Sequence, residues 1–189
     1  VIVCGKTNSA AIIDPGGELE KIVSQMDKLG VRPTAIWLTH GHLDHVGAAG
    51  ALSDAYGVDI IGPHKDEQFW FDALPQQAQM FGFTPRPSFL PTKWLNHGDN
   101  LKLGELNFEV RLCPGHTPGH VIFVEHNNKY ALVGDVIFKG SIGRTDFPQG
   151  DGPTLIASIE REVLSLADEY TLLSGHGDVT TVGRERQSN

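Results

Sequence analysis

The stretch "AIWLTHGHLDHVG", residues 35–47, changes character near its middle. Ala35, Ile36, Trp37 and Leu38 form a short apolar run that reads as a buried strand. From His40 to His45 the chain then places three histidines and one aspartate within six residues. Residues two apart in an extended segment point the same way, so His40 and His42 are set to grip one ion. Asp44 and His45 follow as the chain turns into a helix, offset toward a neighbouring ion. The bland alternative is a loop of solvated histidines. It is the poorer reading, because burying so many imidazoles without a metal leaves polar groups unpaired.

The rest of the chain alternates between strand and helix periods, the mark of an α/β protein. "VIVC" and "AAIID" are short apolar runs separated by "GKTNS", a hairpin closed by "DPGG". Leu19, Ile22, Val23, Met26 and Leu29 recur at helical spacing, and Gly30 stops that helix. "VGAAGALSDAYG" reads as a helix of small residues and "VDIIG" as a strand. Between Pro63 and Pro91 the pattern weakens to one or two short helical pieces and the loop "TPRPSFLP". "LKLGELNFEVRLCPG" is strand, turn, strand, and "HVIFVEHNNKYALVGD" is two strands about "NN". Residues 154–166 carry Leu155, Ile159, Val163 and Leu166 on one helical face, and "YTLLSGH" is a final strand.

With 189 residues the chain suits one domain, residues 1–189, large enough to bury a real core. A net charge of -8 argues against nucleic-acid and anionic-membrane partners, which need a basic face. Cys4 and Cys113 form no CxxC pair and read as reduced thiols. With no apolar run of membrane-spanning length and no visible signal peptide, the expected location is the cytoplasm.

Three further strand ends carry candidate ligands: His116 in "CPGHTPGH", Asp135 in "YALVGD" and His176 in "LLSGH". Strand ends that feed loops are where a rigid sheet displays functional groups. Together the candidates are His40, His42, Asp44, His45, His116, Asp135 and His176. Such a set has no sulfur and two carboxylates, unlike the cysteine-rich sets of structural zinc sites. Seven ligands are too many for one tetrahedral ion and natural for two, with the two oxygens of Asp135 as the bridge. Of the remaining histidines, His64, His97 and His126 lack companion ligands, and His120 fits a supporting role.

"THGHLDHVG", "PGHTPGH", "GD" at Asp135 and "SGH" at His176 resemble, in order, the metallo-β-lactamase superfamily. "DPGG", "CPGHTPGH" and "GDVIFKGSIGRTDFPQGD" look most like its glyoxalase II branch, in particular the short single-domain bacterial members. The resemblance implies an αββα sandwich, with the first strand truncated. It also implies two divalent metal ions, zinc before iron or manganese. His40, His42 and His116 would hold one ion, Asp44, His45 and His176 the other, and Asp135 both. The implied reaction is hydrolysis of an acyl-glutathione thioester, typically S-lactoylglutathione, with Asp44 and Asp135 as catalytic carboxylates. Arg144 and Lys139 are the basic side chains expected to hold the glutathione moiety.

The chain departs from the branch at two points. The tail "TVGRERQSN" after His176, with Arg184 and Arg186, is too short to be the C-terminal helical domain that grips glutathione in longer members, so that grip is expected to be missing. Arg144 and Asp146 also stand where the branch carries Lys and Tyr. An ion pair between Arg144 and Asp146 is an equal alternative to substrate binding. "GRTDFPQG" is also similar to the persulfide dioxygenase branch, which implies one iron on His40, His116 and Asp135. A lactonase would use all seven ligands. A true β-lactamase, a nuclease or a metal-binding module without activity fits the motif set less well.

Overall fold

The computed structural model describes residues 1–83 and 87–189, which fall into two compact units. The first unit comprises residues 1–94 and 102–106, the second residues 95–101 and 107–189. The loop expected over residues 84–91 lies partly outside the described residues, and 87–91 carry no helix or strand.

In the first unit, strands β1 (Ile2–Val3), β2 (Ala10–Ile13), β3 (Pro33–Trp37) and β4 (Ile60–Ile61) form one sheet in that order. The β1–β2 pair is the antiparallel hairpin expected from "VIVC" and "AAIID". β2, β3 and β4 are mutually parallel, so helices must carry the chain back between them. Helix α1 (Leu19–Leu29) makes the first return and ends at Gly30 as expected. The helix expected after the histidine loop is two: α2 (Leu43–Val46) and α3 (Ala49–Tyr56). A 3-10 turn (Lys65–Glu67) and helices α4 (Gln68–Asp72) and α5 (Leu74–Met80) follow. Met26, Ile36, Leu38, Leu52 and Phe71 are fully buried at the centre of this unit's core.

The larger sheet contains β5 (Asn100–Leu103), β6 (Leu106–Leu112), β7 (Val121–Glu125), β8 (Tyr130–Gly134), β11 (Thr171–Ser174) and β12 (Thr180–Thr181). Its order is β12-β11-β8-β7-β6-β5. β6 runs antiparallel to β7, β7 antiparallel to β8, and β8 parallel to β11. Strands β6, β8 and β11 therefore all point the same way and end at one edge. β9 (Ile137–Phe138) and β10 (Ser141–Ile142) make a small hairpin just beyond β8. Helix α6 (Gly152–Ser158) continues into a π-helical turn (Ile159–Val163), and helix α7 (Val182–Ser188) closes the chain. Ile122, Val133, Leu155, Val163 and Leu172 are fully buried in the second unit's core. Among the described residues no helix is long and apolar enough to cross a membrane.

Candidate metal centre

Parallel pairing brings the ends of β2 and β3 side by side, which places Asp14 next to the histidine loop. The Asp14 amide donates to the Trp37 carbonyl at 3.0 Å. Its carboxylate accepts from the Thr39 amide at 2.8 Å and from the Thr39 hydroxyl at 2.6 Å. The same Oδ2 is 3.1 Å from His45 Nδ1, and Thr39 Oγ1 is 3.0 Å from His40 Nδ1. The Thr39 proton is already directed at Asp14, so Thr39 Oγ1 accepts from His40 Nδ1–H. His45 Nδ1–H likewise donates to Asp14. This network leaves Nε2 of both rings as the lone-pair nitrogen, the tautomer a metal ligand needs. Asp14 holds a left-handed backbone conformation, φ 45°, which aspartate tolerates better than most residues.

His40, His42 and His45 are buried, while Asp44 is exposed with Oδ2 3.8 Å from His45 Nε2. His40 Nε2 and His42 Nδ1 approach to 3.0 Å. The rings of His40 and His45 are 4.1 Å apart between centroids, and those of His40 and His42 4.7 Å. Two ring nitrogens at 3.0 Å repel unless a proton or a cation lies between them. A cation held between the two rings fits this approach as a shared proton does.

The second unit gathers the other three candidates along one sheet edge. His116 follows β6, Asp135 follows β8 and His176 follows β11. Asp135 Oδ2 lies 3.6 Å from His176 Nε2 and 3.9 Å from His116 Nε2, so one carboxylate faces two imidazoles. His116 and Asp135 are buried, and His176 is exposed. Here a backbone oxygen fixes the tautomer: His116 Nδ1–H donates to the Arg144 carbonyl at 2.7 Å. Gly143 makes that approach feasible. A Cβ there would overlap the Asp135 carbonyl oxygen and lie 3.2 Å from His116 Nδ1. The Asp135 amide donates to His120 Nε2 at 3.1 Å, which gives the buried His120 its supporting place.

The expected substrate-binding residues are both ion-paired. Arg144 grips Asp146 with two parallel bonds, Nε to Oδ1 at 2.6 Å and Nη2 to Oδ2 at 2.7 Å, and lies over the Phe147 ring. Hydrogen bonding from the guanidinium holds the Asp146 carboxyl at about 2. Lys139 donates to Asp178 at 2.8 Å and keeps that carboxyl below its ordinary range. Asp14 was not singled out from the sequence beyond its place in "DPGG". Its role is visible only through the pairing of β2 with β3. His64, His97 and His126 have local partners instead: the Asp66 amide, the Leu112 amide, and Tyr170 with Glu109.

Each unit thus carries imidazoles and carboxylates at strand ends, with the tautomers of His40, His45 and His116 fixed, and these are donor types that suit divalent metals. A family model of the metallo-beta-lactamase superfamily matches residues 1–176. The chain belongs to that superfamily, and it is a metal-dependent hydrolase with the superfamily's mixed α/β fold. It is 50% identical over 182 residues to hydroxyacylglutathione hydrolase GloC of Haemophilus influenzae, covering 96% of this chain and 86% of that one. Among solved structures, BLEG-1, a B3 metallo-beta-lactamase, superposes with a TM-score of 0.91 at 34% identity, covering 100% of this chain and 90% of its own. TTHA1623, solved in a di-iron-bound form, gives 0.89 at 36% identity, covering 100% and 91%.

Proposed function

We propose that residues 1–189 act as one hydrolase domain that cleaves hydroxyacylglutathione thioesters, S-lactoylglutathione first among them, to glutathione and the hydroxy acid. The 50% identity with the Haemophilus influenzae hydroxyacylglutathione hydrolase, over nearly the whole chain, carries this reading. Two divalent ions are assigned by the order of the motifs. His40, His42 and His116 would hold one, Asp44, His45 and His176 the other, and Asp135 would contribute to both. Zinc is the first choice, and the di-iron form of TTHA1623 keeps iron beside it. Ions so held supply Lewis-acid polarisation of the thioester carbonyl and lower the pKa of water toward neutrality.

The chain's own residues have distinct tasks in this reading. Exposed Asp44 takes up the proton that water loses as its oxygen bonds to the thioester carbonyl carbon, and passes it to the glutathione thiolate released when the C–S bond breaks. Asp14, Thr39 and the Arg144 carbonyl keep the imidazole tautomers in place. No thiol is needed as nucleophile. Cys113 is fully buried, and desolvation raises its pKa well above the ordinary thiol range, which keeps it from attacking. Arg144 and Lys139 meet the carboxylates of glutathione, in exchange for Asp146 and Asp178.

Steady-state assays on metal-replete protein test the assignment, with lactoylglutathione, an uncharged thioester, a lactone and a persulfide as substrates. Thioester cleavage without oxygen uptake is the expected result. Oxygen consumption with the persulfide, and no thioester cleavage, would replace the reading with a one-iron dioxygenase.

A further inference from the structure

The peptide between His40 and His42 is held from both sides by side chains of a distant segment. The Gly41 amide donates to Glu67 Oε2 at 2.8 Å, and the Gly41 carbonyl accepts from Gln77 Nε2 at 3.2 Å. Gln77 Oε1 also accepts from the Leu43 amide at 2.9 Å, and its Nε2 donates to the Trp70 carbonyl at 2.8 Å. Glu67 ends the 3-10 turn and Gln77 lies within α5. Glu67 is fully buried and Gln77 nearly so. Trp70, between them in the chain, meets the His42 ring edge-on at 4.5 Å.

The histidine loop needs these partners. Residues 39–42 belong to no strand or helix, so their buried N–H and C=O groups must find partners elsewhere. A buried carboxylate is costly unless its oxygens are bonded, and Glu67 directs one at a backbone amide whose two neighbours are His40 and His42. The two bonds hold the two peptide planes that join Gly41 to His40 and to His42, and so restrict how the backbone of either histidine can turn. The contact is close as well: a Cβ on Gly41 would lie 2.6 Å from Trp70 Cβ and 3.3 Å from Glu67 Oε2. No larger residue can occupy that position without displacing the clamp.

We propose that Glu67 and Gln77 are positioning residues that clamp the Gly41 peptide, so that His40 and His42 present their nitrogens to one cation. This rests on the reading of His40 and His42 as metal ligands. The clamp touches no substrate. Its effect is on the spacing and aim of two ligands, and so on metal affinity and on kcat with metal saturating, more than on KM.

Zinc competition against a chromophoric chelator tests it, run on the full chain stripped of metal. Gln77→Met removes three hydrogen bonds at similar length, and Glu67→Met removes the bond to Gly41. Each should weaken zinc binding by about 10- to 100-fold, the range for lost supporting partners of metal ligands. Glu67→Gln keeps an acceptor for the Gly41 amide and should restore most of the affinity. Gln77→Glu keeps the shape and the acceptor for Leu43 but loses both donors, and serves if Gln77→Met does not fold; it too should bind zinc more weakly. Variants that melt lower without metal yet take up zinc as the wild type does would show a prop for the fold and overturn the clamp. A wild-type chain that takes up no zinc, iron or manganese would instead overturn the metal reading beneath it.

Discussion

Asp14 concentrates three jobs in one carboxylate: it accepts from the Thr39 amide, the Thr39 hydroxyl and His45 Nδ1. Asp14→Asn separates its charge from its shape, because asparagine also tolerates a positive φ. An amide has one acceptor oxygen, so one of the bonds to Oδ1 and Oδ2 must be lost. Zinc affinity should fall about 10- to 100-fold, read by chelator competition, while far-UV circular dichroism stays that of the wild type. Asp146 makes the converse case. Its pKa of about 2 lies below the ordinary carboxylate value, so the pair with Arg144 is present above about pH 4 and lost only as pH falls through 2. Across the neutral range Asp146 therefore competes with any substrate carboxylate for the same guanidinium. Asp146→Asn should lower KM for lactoylglutathione several-fold and leave an uncharged thioester unchanged. Equal KM changes on both substrates would count against Arg144 as the glutathione contact. The seven candidate ligands stand out in the sequence because each carries its chemistry in its own side chain. Asp14 is an ordinary aspartate until a strand pairing brings it to His45, 31 residues away. Glu67 and Gln77 likewise carry no local signal, since they act on a backbone that sequence patterns do not display.

Strand ends, rather than individual side chains, organise both half-sets of ligands. β6, β8 and β11 share a direction, so the residues after them collect at one sheet edge. The loop after β10 then packs back onto that edge through Gly143. Gly143→Ala should force the loop away from Asp135 and remove the Arg144 carbonyl from His116. The expected cost is about 1–3 kcal/mol from overpacking, measured by urea unfolding, together with weaker metal binding. Unchanged stability and zinc affinity would show that the loop adjusts freely. The elements with clear apolar runs or periods, α1, β1 to β8 and β11, were legible in the sequence because burial enforces those patterns. Elsewhere the pattern underdetermined the backbone. Leu155, Ile159, Val163 and Leu166 are all buried as their spacing implies, yet the Leu164 amide reaches back to Ile159, five residues away, in a π turn. An apolar spacing of four residues serves either winding. Helix α7 had no apolar stripe to announce it. Polar contacts dock it: buried Glu185 accepts from Thr180, the Gly140 amide and Asn189, and Arg186 donates to the Leu164 and Leu166 carbonyls.

At the scale of the whole chain, two buried cores support seven candidate ligands, and metal content per chain is the property that joins them to function. Each core has its own lever. Phe71→Ala in the first unit and Leu172→Ala in the second each leave a cavity at a fully buried position. They should cost about 3–5 and 2–5 kcal/mol respectively in urea unfolding of the metal-free chain. Metal then adds stability by mass action: an ion at 100 times its Kd contributes about 2.7 kcal/mol. A metal-replete chain should accordingly melt well above a chelator-stripped one, and elemental analysis should give about two ions per chain, as expected when two metals share a bridging ligand. Asp135 is where the two-ion reading is most exposed to test, because its Oδ2 faces both His176 and His116 at 3.6 and 3.9 Å. Asp135→Ala removes a carboxylate that this reading gives to both ions, so both occupancies should fall and most of the metal-dependent rise in melting temperature should disappear with them. If the wild type holds a single ion, and Asp135→Ala lowers neither its occupancy nor that stabilisation, then Asp135 bridges nothing and the centre is mononuclear.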